Sequence, residues 1–129
     1  MNILDENILE SQRALLRSWR IPIRQIGIEL AHKGMSDQDI IPLLLRTPHP
    51  TFFTRDLDFD EQSLCHVKYF LVVLEIGQYE VAHFVRRILS HQQFNSRAKR
   101  MGLVIRVVAT DIVVWKRGSR SPERIRWAI

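Results

Sequence analysis

Residues 69–76, Tyr-Phe-Leu-Val-Val-Leu-Glu-Ile, form a nearly unbroken apolar run. A strand of this kind has no face to offer water, so it must be covered on both sides. Helices packed on either face of a parallel sheet meet that requirement. With 129 residues the chain has the material for one such domain and its core, and too little for two.

The flanking segments supply the layers. Residues 1–4 read as a first strand, ended by Asp5-Glu6-Asn7. Ile8, Leu9, Leu15, Leu16 and Trp19 recur at helical spacing over 8–19, and Pro22 breaks that helix. Residues 23–28 are expected as a short second strand. Ser36 followed three residues later by Asp39 is a capping signature for a helix reaching residue 46, where Thr47-Pro48-His49-Pro50 stops it. Residues 51–54, β-branched and aromatic, read as a strand. Over 79–92, Val81, Ala82, Phe84, Val85, Ile88 and Leu89 share one helical face, and residues 94–101 are expected to continue as helix to Gly102. Residues 103–108 and 112–115 read as a hairpin turned by Ala109-Thr110-Asp111. The expected class is α/β, a central and mostly parallel sheet covered by helices, with an antiparallel edge.

Composition excludes several function classes. Hydrophobic residues are 46% and charged residues 26%, against disorder or a fibrous class. No apolar run reaches the ~18 residues of a membrane span, and the N-terminus carries acids where a signal peptide needs a basic lead, so a cytoplasmic protein is expected. A single cysteine, Cys65, excludes an internal disulfide, a zinc knuckle and a redox dithiol; with no paired His or Asn evident it reads as a small, at least half-buried residue.

Eight of the fourteen acids fall in three short clusters: Asp5/Glu6, Asp37/Asp39 and Asp56/Asp58/Asp60/Glu61. Asp5 ends the first strand and Asp56 ends the 51–54 strand, and in open α/β sheets sites form outside the carboxyl ends of strands. Asp37, opening a helix, can face the same crevice. Carboxylates gathered there need protons or a cation, and an all-oxygen donor set favours Mg²⁺ or Mn²⁺ over zinc. The five histidines are scattered and offer no zinc alternative. A divalent ion of this kind activates water and stabilises charge on a phosphoryl oxygen, which suits phosphodiester hydrolysis. Each acid also has a plainer reading. Asp37 and Asp39 can serve the helix cap and dipole, and Asp39 fits that role better than a site role. Asp60 and Glu61 read as solvated residues opening a short turn, Glu6 as a solvated neighbour of Asp5, and Asp111 as a hairpin turn residue.

Charge is unevenly spread. Residues 1–85 hold eight Lys/Arg and twelve Asp/Glu, whereas residues 86–129 hold eleven and two, and arginine outnumbers lysine fifteen to four. Arginine's planar fork suits phosphate. Arg97, Lys99 and Arg100 are candidates for an RNA track, with Arg55 guiding phosphate beside the acids or pairing with one of them. The residues from Gly118 onward read as a flexible basic tail ending in apolar Trp127, Ala128 and Ile129, which joins that track, stays solvated or docks on a partner. Trp19, Trp115, Phe52, Phe53, Phe70 and Phe84 read as core.

Leu4-Asp5-Glu6-Asn7, Gly34-Met35-Ser36-Asp37 and Thr54-Arg55-Asp56-Leu57-Asp58-Phe59 together resemble the PIN-like domain family, and more narrowly its short stand-alone, VapC-like branch, often encoded beside a small antitoxin. The resemblance spans residues 1–117 and leaves 118–129 outside as a C-terminal tail. It implies a three-layer α/β sandwich and a metal-dependent ribonuclease, the toxin of a toxin-antitoxin pair, cutting single-stranded RNA. By resemblance Asp5, Asp37 and Asp56 are the catalytic metal ligands, with Asp58 the fourth, holding Mg²⁺ or Mn²⁺. It further implies RNA and a small antitoxin as partners, and a homodimer.

Two other classes compete. A phosphoacceptor receiver domain has similar length and also gathers acids at strand ends, but its late-strand lysine followed by proline has no counterpart here. A catalytically silent module that only engages a partner protein is the other.

Overall fold

In the computed structural model, which describes residues 1–127, one seven-stranded sheet runs through the molecule in the order β2-β1-β3-β4-β5-β6-β7. The strands are β1 (Asn2–Leu4), β2 (Arg24–Gln25), β3 (Thr51–Thr54), β4 (Phe70–Leu74), β5 (Val104–Val107), β6 (Asp111–Trp115) and β7 (Glu123–Arg126). The first five are mutually parallel, and β6 and β7 add an antiparallel edge. Four helices cover it: α1 (Glu10–Ser18), α2 (Asp37–Arg46), α3 (Val81–Ser90) and the short α4 (Arg97–Arg100).

Every residue of β4 is buried, as its uniform apolarity requires. Alternation along the strands sorts side chains between two cores. Leu4, Phe53, Phe70, Val72, Leu74, Ile105 and Val107 face α1 and α3, which contribute Leu16, Val81, Ala82, Val85 and Ile88. Ile3, Phe52, Leu71, Val73 and Val104 face the other side, where α2 adds Ile40 and Leu44 and a 3₁₀ turn (Leu57–Phe59) adds Phe59. Helices therefore lie on both faces, and the molecule is an α/β sandwich of three layers. A buried amide links the helices of one layer: Gln12 Oε1 of α1 accepts from the backbone N–H of Ala82 at the start of α3, at 2.9 Å. No helix among the described residues is long and apolar enough to cross a membrane.

The structure departs from the sequence reading in three places. The 23–28 strand shrinks to two residues plus a bridge between Ile26 and Leu30, because Gly27 turns the chain at φ +86°. Helix does not continue from α3 into 94–101 without a break; α3 ends at Ser90, and α4 spans only Arg97–Arg100. The segment read as a basic tail supplies an edge strand: Ile125 pairs with Ile112 and Arg124 with Val113. Trp127 Nε1 then donates to the Val108 carbonyl at 2.9 Å, its ring packing near Phe84 and His91. The open edge of β6 presents unpaired backbone N–H and C=O groups that need a neighbour, which is why the segment is drawn in. Ala128 and Ile129, also read as part of an apolar docking end, lie outside the described residues.

If Trp127 is anchored in this way, Trp127→Ala should lower the free energy of urea unfolding by about 2 kcal/mol. A loss below ~0.5 kcal/mol, the size expected of a solvated tail, would contradict the placement.

Candidate metal centre

The strand order reverses direction at β1, whose two neighbours β2 and β3 are reached by separate crossovers. A crevice opens at such a switch point, outside the carboxyl ends of the flanking strands. Asp5 lies one residue past β1, where its N–H still continues the ladder to the Phe53 carbonyl at 3.0 Å. Asp56 follows β3 by two residues. Because α2 is the crossover from β2 to β3, it runs against the strands, and its first residue, Asp37, comes to the same edge. Asp5, Asp37, Asp56, Arg55 and Glu6 line a cleft of about 320 Å³ there.

One carboxylate oxygen from each of Asp37, Asp56 and Asp58 lies within 4.8 Å of the others. Two ligands of one Mg²⁺ at ~2.1 Å lie about 3–4 Å apart, so this all-oxygen set stands only slightly wider than a hard divalent ion requires. Asp5 is a neighbour of the trio, and its oxygens are already engaged: Oδ1 accepts from Glu6 N at 2.8 Å and Oδ2 from Thr54 Oγ1 at 2.6 Å. Burial raises the Asp5 pKa; the Thr54 hydroxyl and Glu6 amide oppose the rise, and the charge of Asp56 adds to it. At Asp37 burial likewise raises the pKa, followed by the charge of Asp56, a hydrogen bond with Asp56 and the charges of Asp5 and Asp58. The four expected acids thus share one electrostatic site, three of them within reach of a single ion.

Local turns set these positions. Thr54, fully buried, donates to Asp5 and accepts from the Asp56 N–H at 3.0 Å, tying the two strand ends together. Asp56 Oδ1 caps the 3₁₀ turn by accepting from Asp58 N at 3.0 Å, which brings Asp58 round to the trio. Two residues that the sequence reading passed over, or left solvated, hold the opposite wall. Gln25 Nε2 donates to the carbonyls of Asp5 (3.0 Å) and Ile8 (2.9 Å) and braces the turn after β1. Glu6 is no solvated neighbour; both its oxygens accept from Gly34 N, at 3.1 and 3.0 Å, fastening the loop that leads to Asp37. The available signal for Gln25 was a neutral polar residue set among Ile23, Ile26 and Ile28.

No family model, curated protein or solved structure matches this chain. What its site can do therefore rests on its own geometry.

The remaining candidates separate from the trio. Asp39 accepts from the Ser36 hydroxyl at 3.0 Å on the exposed start of α2; the expected capping box is not formed, since neither side chain accepts from a backbone N–H there. Asp60 is not solvated as expected: it accepts from Arg106 Nε at 2.9 Å and Trp115 Nε1 at 3.2 Å, while Arg106 also pairs with Glu75 at 2.7 Å. Asp111 begins β6 and pairs with Arg124 at 2.6 Å, which lowers its pKa. Cys65 is half-buried, with its thiol against the Trp115 carbonyl at 3.4 Å, and burial pushes its pKa up, away from a reactive thiolate. Phe52, Phe53, Phe70 and Phe84 are core, whereas Trp19 and Trp115 are half-buried.

Among the basic residues, Arg55 alone lines the acidic cleft. Its Nε and Nη2 both donate to the Ile76 carbonyl beyond β4, at 3.2 and 3.0 Å, and it pairs with no acid among the described residues. Arg97 and Arg100 line a different pocket together with Asn2 and Thr51, at the amino ends of β1 and β3. The chain between β4 and β5 starts at the carboxyl edge and must return to the amino edge to begin a parallel strand, so α4 is delivered to the edge opposite the acids. Lys99 is engaged locally, donating to Gln92 O at 2.7 Å and Asn95 Oδ1 at 3.0 Å.

Two outcomes test this geometry. Thr54→Val should cost about 1–3 kcal/mol of stability, because it leaves an acceptor on Asp5 and the Asp56 amide unpaired. The Asp5 pKa should also rise further in a carboxyl carbon NMR titration; an unchanged Asp5 titration would refute the tie. The raised Asp5 and Asp37 pKa values mean that the folded chain holds protons there which the unfolded chain releases. Stability contributed by these groups is therefore present at low pH and lost as pH rises past the ordinary carboxylate range. Asp37→Asn should flatten that fall and stabilise the metal-free protein at pH 7. Mn²⁺ at 100 times its Kd should add about 2.7 kcal/mol to the wild type and much less to the variant. Equal effects of Mn²⁺ on both melting curves would rule out Asp37 as a ligand.

Proposed function

We propose that the chain is a Mg²⁺- or Mn²⁺-dependent ribonuclease of PIN-like type. The observation that carries this reading is the convergence of carboxylate oxygens from Asp37, Asp56 and Asp58 within 4.8 Å, at the carboxyl edge of a parallel sheet. The donor set fits a hard divalent cation: it is all oxygen, and the Asp37 pKa is raised by burial and then by the charges of Asp56, Asp5 and Asp58. Asp37, Asp56 and Asp58 would hold the ion, with Asp5 beside them. When bound, it supplies an activated water and stabilisation of phosphoryl charge.

The chain's own residues do the rest. Arg55, fixed to the Ile76 carbonyl and lining the same cleft, holds a positive charge at its rim, where a phosphodiester oxygen can accept from it. Thr54 and Gln25 keep Asp5 and the turn after it from drifting, which preserves the spacing of the carboxylates. The cleft is lined mainly by polar and charged groups, which suit a hydrated, charged chain better than an apolar ligand. An exposed single strand meets that condition, which supports single-stranded RNA as substrate. The resemblance to the toxin branch extends the reading to a small antitoxin as partner.

Purified protein with a labelled single-stranded RNA should cleave it with Mn²⁺ and not with EDTA. Asp56→Asn should reduce the rate by at least a hundredfold and Arg55→Ala by about tenfold. Cleavage unchanged by Asp56→Asn would remove the mechanism.

The order β2-β1-β3-β4-β5 is also the doubly wound order of phosphoacceptor domains, which keeps that second reading in play. No lysine lines the acidic cleft to pair with an acyl phosphate. Stable labelling of Asp56 by acetyl phosphate would favour the second reading over hydrolysis.

A further inference from the structure

The amino edge of the sheet carries a second site, opposite in charge to the first. A pocket of about 350 Å³ opens where β1, β2 and β3 begin, lined by Asn2, Arg24, His49, Thr51, Arg97 and Arg100, among others. No carboxylate lines it. Arg24 and Arg97 are exposed and form no ion pair among the described residues. Arg100 is pinned there, donating to the carbonyls of Phe94 and Leu89. Burial lowers its pKa, and burial, followed by the charges of Arg97 and Arg100, lowers that of the neighbouring Met1 ammonium. Elsewhere Arg13, Arg17, Arg106 and Arg124 have acidic partners, and Arg86 and Arg87 lie over aromatic rings. Three guanidinium groups brought to one concavity without a counter-ion repel one another, and an anion relieves that cost.

We propose that this pocket binds a phosphate group. A carboxylate can satisfy one guanidinium fork, whereas a phosphate presents three oxygens to donors from three directions. Arg24 lies on β2, and Arg97 and Arg100 on α4, so guanidinium groups from two elements line the pocket. Thr51 and Asn2 line it as well. The volume exceeds that of a phosphate alone, leaving room for the ribose of a nucleotide or an adjoining nucleotide of a strand. Thr51 serves this pocket and Thr54 the acids, about 10 Å apart along β3 with the fully buried Phe52 and Phe53 between them, so the two sites are separate. This inference stands whether or not the acidic cleft cleaves RNA.

The test is a titration followed by backbone amide NMR at constant ionic strength, with inorganic phosphate as the probe and acetate as the control. Phosphate should shift the amides of Asn2, Arg24, Thr51 and Arg97 with a saturable midpoint. Arg24→Ala and Arg97→Ala, both at exposed positions with no internal partner, should each raise that midpoint about tenfold. Asp56→Asn should leave it unchanged. Two further arms identify the source of the phosphate. Tighter binding of a nucleoside 5′-monophosphate assigns a free nucleotide, and tighter binding of an oligoribonucleotide lacking a terminal phosphate assigns the RNA backbone. Acetate acting with the same midpoint, shifts confined to other amides, or arginine variants that bind phosphate like the wild type would each overturn the proposal.

Discussion

The parallel ladder between β1 and β3 is the constraint from which the site follows. Asn2 pairs with Thr51, Ile3 with Phe52 and Leu4 with Phe53, so the next step sets Asp5 beside Thr54. That register is locked by burial. Ile3 and Phe52 belong to one core, Leu4 and Phe53 to the other, and a slip by one residue would send each to the wrong face. With the register held, the Thr54 hydroxyl meets the Asp5 carboxylate and the Asp56 amide, and the chain beyond β3 turns toward α2. The apolar pairing of four residues thus determines the spacing of polar groups at the strand ends.

Charge in the folded molecule differs from charge along the chain. The C-terminal third is strongly basic in sequence, yet much of that charge is committed internally. Arg106 joins Asp60 to Glu75, Arg124 holds Asp111, and Lys116 pairs with Glu123. Arg86 lies over the Trp19 ring at 3.8 Å and Arg87 over Trp127 at 4.0 Å, where aromatic faces and aliphatic stems serve packing as much as charge. Arg24, Arg97 and Arg100, without acidic partners among the described residues, line the amino edge, and Asp37, Asp56 and Asp58, without cationic partners there, line the carboxyl edge. The sheet separates them, and neither set neutralises the other.

The layers were legible because apolar patterning is a local signal. The β4 run, the face shared by Val81, Val85 and Ile88, and the Ser36 boundary of α2 all appear where the pattern puts them. The acidic strand ends were legible as well, because Asp5 and Asp56 follow apolar segments closely. What escaped was whatever depended on partners distant in sequence. Nothing near Asp60 announces Arg106 or Trp115, and nothing near Glu6 announces the Gly34 amide. The residues after Gly118 look like a tail because their value as a strand comes only from the open edge of β6.

The sequence by itself determined that this chain has strands needing cover on both faces, helices able to provide it, and aspartates placed just after strands and at a helix start. Those properties depend on spacing of a few residues, which hydrophobic burial and capping read directly. Tertiary structure decided which strands became neighbours. That choice put Asp37 with Asp56 and Asp58, committed the Asp5 oxygens to Thr54 and Glu6, and carried Arg97 and Arg100 to the far edge. Strand order has this authority because a parallel crossover returns the chain to the opposite edge each time. A residue's distance along the chain from a crossover, more than its type, therefore settles which end of the sheet it serves.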